Sequence, residues 1–211
     1  ISVCGGAVTL AARILPSALH QWPGALRIVP SPRGALTSLA PLPTSSAAAQ
    51  ISSPVGLCVS APRATLYVHS VGLNFRDVLN VLGMYPGDPG LPGADCAGVL
   101  TALSTWGGGG DAGGFSSPDE VAHALHAGVG VFGLAAGCLG TEVVCGLQTI
   151  SHKPLSMRYD EAATLPTVRM TVGIAFRHAS TVARSDHVLV HAAAGGVGLA
   201  AADLLTLLRA N

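Results

Sequence analysis

The sequence predicts an α/β plus β fold, with a strand-and-turn first two-thirds followed by the opening strand–turn–helix unit of a doubly wound sheet. Three observations predict it. Short apolar runs broken by Gly and Pro recur from residue 26 to about residue 150, the pattern of an all-β or barrel-like domain. From residue 159 the spacing turns helical. A short apolar run at 187–190 then enters the Gly-rich turn AAAGGVG, followed by uninterrupted helix formers to residue 209.

The elements follow in chain order. Residues 7–15 are a β-like run, and 26–29 are a strand candidate ended by Pro30, Ser31 and Pro32. The Pro/Ser/Ala-rich stretch 41–53 reads as a loop or linker. Residues 65–68 alternate and are partly β-branched, as a strand requires. In 74–82 the apolar residues fall at 75, 78, 79, 81 and 82, a helical spacing that stops at Gly83. Residues 84–87 form a turn, and 95–100 a buried strand. The segment 106–117 contains GGGGDAGG, a flexible insertion. Two short strands, 131–134 and 141–145, are joined by a Gly-containing loop. Helices are predicted at 159–165, stopped by Pro166, and at 168–183. The run 187–190 is a buried parallel-strand candidate, and 199–209 is a helix.

Composition excludes several classes. The chain has 211 residues, zero net charge, 10% charged and 49% hydrophobic residues, 27 Gly, 14 Pro and a single lysine, Lys153. With no basic excess or Lys/Arg cluster to neutralise phosphates, a nucleic-acid binder is disfavoured. So low a charge predicts poor solubility for the chain alone, as for a piece of something larger. The five cysteines, Cys4, Cys58, Cys96, Cys138 and Cys145, form no CxxC pair and no disulfide framework. Free thiols and the lack of a recognisable leader point to a reducing, cytoplasmic compartment. The uncharged, Gly-rich apolar runs 127–140 and 188–202 fall short of the ~18–20 residues of a membrane span.

The Gly-rich turn carries the strongest chemical signal. A nucleotide pyrophosphate needs close backbone approach and free N–H groups at a helix N-terminus. Ala193, Gly195 and Gly198 occupy the three G-x-G-x-x-G positions, with Ala in the first. Gly195 and Gly196 allow the approach, Val197 follows them, and Gly198 lets the helix pack on the strand. The alternative, an ordinary tight turn in a Gly/Ala-biased chain, is outweighed by the flanking strand and helix candidates. Among the eight histidines, His123 and His126 have helical metal-pair spacing, and they lie beside the insertion. No metal site is expected.

VLVHAAAGGVG (188–198) closely resembles the nucleotide loop of zinc-free medium-chain reductases, the quinone-oxidoreductase-like group. VGLNFRDVLNVLGMYPG (71–87) resembles the enoyl reductase domain of modular polyketide synthases and of the related animal fatty acid synthase. GADCAGV (93–99) is similar to the family's following strand, YDEAATLP (159–166) to the helix before its nucleotide domain, and 27–39 to its lead-in strand. The matches occur in family order across residues 26–208.

The resemblance implies an N-terminal extension (1–25), a GroES-like partial β-barrel (26–150, with the insertion at about 104–120) and the first part of a Rossmann domain (151–211). It implies NADPH as cofactor and reduction of a trans-2-enoyl thioester on an acyl carrier protein, with hydride to the β-carbon and a proton to the α-carbon. Tyr85 is then the candidate acid, since a phenol can protonate an enolate and orient a thioester. Asn74 and Thr171 would lie near the nicotinamide and its carboxamide, although Asn74 is almost equally a helix N-cap. In zinc-dependent relatives a Cys stands at Asn74 and a His at Ala94, and neither residue here can replace those ligands. Neighbouring synthase domains are the implied partners, and a homodimer is left open. Within the same fold the alternative is a stand-alone quinone or alkenal oxidoreductase.

There are departures from the family pattern. Val129 stands where an Asp is usual, and Arg169 falls among normally apolar residues. The family's second Rossmann strand and its lysine candidate donor are expected beyond Asn211. Weak or no NADPH binding is therefore expected of this chain alone, because one βα unit cannot bury both faces of its strand. A truncated, non-catalytic structural remnant is the reading from a different class.

Overall fold

The computed structural model describes residues 2–4, 7–9, 24–44, 62–104, 125–179 and 182–208. Strands β1 (Ser2–Cys4) and β2 (Ala7–Thr9) pair antiparallel; the remainder of the 7–15 run lies outside the described residues. Strands β3 (Ala25–Pro30) and β4 (Leu39–Thr44) form a second antiparallel pair. Pro41 and Pro43 thus belong to a strand, where a loop was expected. A two-stranded ribbon has a free edge on each strand, so prolines without N–H groups are tolerated there.

The main sheet has five antiparallel strands: β5 (Arg63–Gly72), β6 (Asp95–Ser104), β7 (Gly130–Leu134), β8 (Glu142–Gly146) and β9 (Ile150–His152). Their order is β8-β5-β6-β7-β9. Strands β7 and β8 are not neighbours, so the loop between them crosses from one side of the sheet to the other. Both β5 and β6 run longer than the sequence spacing suggests, because register shifts at Thr65/Leu66 and Val68/Ser70 break the alternation. Gly98 faces one shift, where a Cβ would stand 2.1 Å from the Tyr67 carbonyl oxygen.

One face of this sheet builds the main core from Ala64, Leu66, Cys96, Leu100, Val131 and Val143, all 2% exposed or less. On the other face, Ala97 is covered by Ala162 and Ala163, with Phe132, Met157 and Tyr159 around them. That cover comes from α2 (Tyr159–Ala162), which is shorter than its predicted 159–165. Helix α1 (Phe75–Val81) lies between β5 and β6 in sequence.

Pro166 does not merely stop a helix. It opens α3 (Pro166–Ile174), with the ring at the first turn, where its missing N–H costs nothing. A π-helical turn, Ala175–Ala179, follows. Helix α4 (Gly196–Leu208) packs on α3 through Val172, Ala200 and Ala201, with Val168, Phe176 and Leu204 alongside. The predicted strand at 187–190 enters no ladder. No described strand lies beside it, so its N–H and C=O groups have nothing to pair with, and Leu189 is 82% exposed. The segments 45–53 and 106–117 lie outside the described residues.

Candidate active site

Asn74 occupies the N-cap position of α1, and two buried aspartates hold it. Asp77 accepts the Asn74 backbone N–H at 2.9 Å through Oδ2 and the Gly93 N–H at 2.8 Å through Oδ1. Asp95 accepts the Asn74 carboxamide Nδ2 at 3.1 Å. Asp77 is 6% exposed and Asp95 2%. The N-cap position expected of Asn74 is thus observed, and its carboxamide is held by Asp95.

Asp95 also ties α3 to the sheet. The Thr167 N–H donates to its two carboxylate oxygens at 3.2 and 3.3 Å, and the Thr167 hydroxyl to Oδ1 at 2.5 Å. Burial raises the Asp95 pKa above the usual carboxylate value; the bonds from Thr167 and Asn74 pull it back, and the Asp77 carboxylate pushes it up further. Its backbone oxygen accepts the Cys138 thiol at 3.5 Å, and burial pushes that thiol up as well.

Tyr85 is half-buried in the turn after α1. Its N–H and that of Met84 both reach the Leu79 carbonyl, at 3.2 and 2.8 Å. The Arg76 guanidinium lies 5.3 Å from the centre of the Tyr85 ring and donates from Nη2 to the Pro89 oxygen at 3.0 Å. Arg33 and Asn80 hold the far side of the same loop, both donating to the Gly90 oxygen, at 2.8 and 3.2 Å. A cation over its face and bonds on either flank give the phenol a fixed setting.

The Gly-rich turn is exposed from His191 to Val197. Ala192 adopts φ +53°, a left-handed conformation uncommon for alanine. Gly198 is buried, and a Cβ on it would stand 2.5 Å from the Ala192 oxygen and 2.6 Å from the Ala193 Cα. The crowding that excludes a Cβ at Gly198 comes from the turn itself, not from the expected strand at 187–190. A Cβ on Gly195 would meet the Ala192 oxygen at 3.4 Å, an ordinary van der Waals contact. At Gly196 the neighbour is Val168 of α3, also at 3.4 Å. Thr171 is exposed on α3, its hydroxyl donating to the Thr167 oxygen at 2.7 Å. Asn74, Asp95, Thr167, Val168 and Gly196 consequently form a continuous path from the sheet to the turn.

Other candidates lie elsewhere. Lys153 donates to the Met157 and Pro154 oxygens at 2.5 and 3.0 Å and sits 4.9 Å over the Tyr159 ring, in the segment between sheet and helices. His126 is exposed with Nδ1 3.0 Å from the Ala127 oxygen; His123 lies outside the described residues. Among the described residues no group of three or more His, Cys, Asp or Glu could hold a metal. Arg169 pairs with Asp203 at 2.7 Å, joining α3 to α4. Sequence reasoning passed over Asp95 and Thr167. The available signal was a carboxylate inside the otherwise apolar run ADCAGVL.

An antiparallel sheet leading through a short helical segment to a Gly-rich helix head is the architecture of reductases with a separate nucleotide-binding part. Among solved structures, CurK enoyl reductase is 27% identical, with a TM-score of 0.67 over 88% of this chain and 52% of its own. The mycobacterial Rv1454c, solved in complex with NADPH, shares the fold at 22% identity and a TM-score of 0.63, over 89% of this chain and 52% of its own. The chain is homologous to modular polyketide synthases: it is 37% identical over 190 residues to the pikromycin polyketide synthase component PikAII of Streptomyces venezuelae, covering 90% of this chain and 4% of that protein. It thus spans a small fraction of the synthases it matches and about half of the solved reductases. No protein-family profile matches it. The resemblance to polyketide synthase enoyl reductases drawn from the sequence is borne out.

Proposed function

We propose that the chain is part of an NADPH-dependent enoyl reductase of a polyketide synthase, acting in the cytoplasm on a trans-2-enoyl thioester presented by an acyl carrier protein among neighbouring synthase domains. The observation that carries this is the exposed Gly-rich turn, closed by a glycine that admits no Cβ and linked through α3 and Asp95 to Asn74. A GroES-like partial barrel (26–150) followed by the start of a Rossmann domain (151–211) is the fold assignment that goes with it.

The residues fit a dinucleotide. The turn is solvent-facing, and it heads a helix of 13 residues, whose first N–H groups suit a pyrophosphate. Ala193, Gly195, Gly196, Val197 and Gly198 would line it. Asn74 offers donor and acceptor atoms matched to a carboxamide, and Thr171 stands one helical turn beyond Thr167. When bound, NADPH supplies hydride to the β-carbon of the enoyl group. Tyr85 would then give its phenolic proton to the α-carbon, leaving a phenolate that regains a proton from solvent. Arg76 keeps the ring in place.

Nicotinamide fluorescence tests this on the chain itself. Weak, saturable NADPH binding is expected, and Gly198→Val should abolish it, because the added side chain would drive into the Ala192–Ala193 backbone. An identical response from wild type and Gly198→Val would overturn the assignment. With a trans-2-butenoyl thioester as acceptor, slow oxidation of NADPH supports the enoyl reductase; oxidation only with a quinone favours the stand-alone oxidoreductase.

A further inference from the structure

Asp95 is an expensive residue at its position. It is 2% exposed, in a strand whose neighbours Cys96 and Ala97 are fully buried. Its charge is compensated by bonds from neutral donors, Asn74 and Thr167. A buried carboxylate so placed is poor value for stability alone. What it does provide is geometry. Two acceptor oxygens on one rigid side chain receive donors from two different elements, the N-cap of α1 and the first turn of α3. An amide cannot do this, since its nitrogen would face the Asn74 nitrogen. The Asp95 backbone is held as well: it pairs with Gly72 of β5, and the Cys138 thiol bonds its carbonyl oxygen at 3.5 Å.

We propose that Asp95 is a positioning residue, whose carboxylate fixes the Asn74 carboxamide and the first turn of α3 in one orientation so that the sheet and the Gly-rich turn are set relative to each other. The path through Thr167 makes this concrete. Thr167 anchors the Thr171 hydroxyl one turn on, and the adjacent Val168 lies against Gly196. The functional meaning rests on the reading of Asn74 and the turn as cofactor contacts; the positioning itself does not.

The test uses the 211-residue chain, the variants Asp95→Asn and Asp95→Ala, and the double variant Asn74→Asp/Asp95→Asn. Amide exchange by NMR reads the Asn74 side-chain protons and the Thr167 N–H, and NADPH fluorescence reads binding. Asp95→Asn keeps an acceptor for Thr167 but turns a donor on Asn74. Thr167 exchange should stay slow while the Asn74 carboxamide exchanges about tenfold faster, with about tenfold weaker NADPH binding. The double variant restores a donor–acceptor pair, so its thermal midpoint should recover while NADPH binding does not, because residue 74 is now acidic. A midpoint that stays as low as in Asp95→Asn would overturn the proposal. So would unchanged Asn74 and Thr167 exchange in Asp95→Ala; if that variant fails to fold, Asp95→Asn decides alone. Where the wild-type chain gives no NADPH signal, the exchange rates alone decide the role of Asp95.

Discussion

Tyr85 shows how much of a candidate site depends on residues beside it. The phenol lies in a turn held by Arg76 beneath its ring and by Arg33 and Asn80 on the far strand of the loop. The Tyr85 hydroxyl takes no part in holding that loop, because each of those contacts ends on the ring face or on backbone oxygens. Tyr85→Phe is therefore expected to leave the turn and NADPH binding unchanged. It should slow protonation of the α-carbon or change its face. Turnover in deuterated buffer, with the product configuration read at an α-methyl branch, checks this; unchanged rate and configuration would remove Tyr85 from the mechanism. At Asn74 the sequence offered a cap and a cofactor contact as rivals; the structure shows the cap position, with the carboxamide held by Asp95. Asp77 provides the carboxylate that accepts the Asn74 N–H at that cap.

Between elements, one close approach is at Gly72, where the end of β5 meets the end of α2. A Cβ there would stand 2.1 Å from the Ala163 carbonyl oxygen and 2.9 Å from the Asp95 Cβ. Gly72→Ala should destabilise by about 2 kcal/mol, because backbone on both sides must shift. Gly173→Ala, with nothing within 4 Å of the added Cβ in the interior of α3, should instead stabilise by up to about 1 kcal/mol. Urea midpoints of the two variants, moving in opposite directions, would check both. The elements legible in the sequence were those whose own pattern suffices. The helix at 75–81 shows its apolar spacing, the strands at 130–134 and 142–146 are short apolar runs, and Gly198 sits where the fingerprint requires it. What escaped depends on partners distant in sequence. β4 is a strand only because β3 lies beside it, despite Pro41 and Pro43. Residues 187–190 have strand composition but no described neighbour. Asp95 and Thr167 are 72 positions apart, and no local period connects them.

At the scale of the whole molecule, the low charge read first as a hint of a larger assembly has a structural counterpart. Leu189, Leu207, Ile174 and Val197 are 82%, 75%, 55% and 46% exposed, all in the segment following the sheet. The sheet core contrasts with this, and its thiols make its stability depend on pH. Cys145 is 8% exposed, and burial pushes it up from 9.0 to about 12, the nearby Cys96 thiol adding to the shift and a bond from Thr149 opposing it. The unfolded chain ionises this thiol near the ordinary value, whereas the folded chain keeps it protonated. The stabilisation is therefore complete below about pH 9 and is lost as pH rises toward 12, by roughly 4 kcal/mol at most for a shift of this size. Cys138 is shifted in the same direction, also chiefly by burial, and steepens the loss. Urea unfolding followed by far-ultraviolet circular dichroism should give a midpoint that falls between pH 9 and 11. Cys145→Ala should lower the midpoint at pH 8 through the lost packing but flatten its decline above pH 9. Parallel declines in wild type and Cys145→Ala would mean that this thiol does not govern alkaline stability.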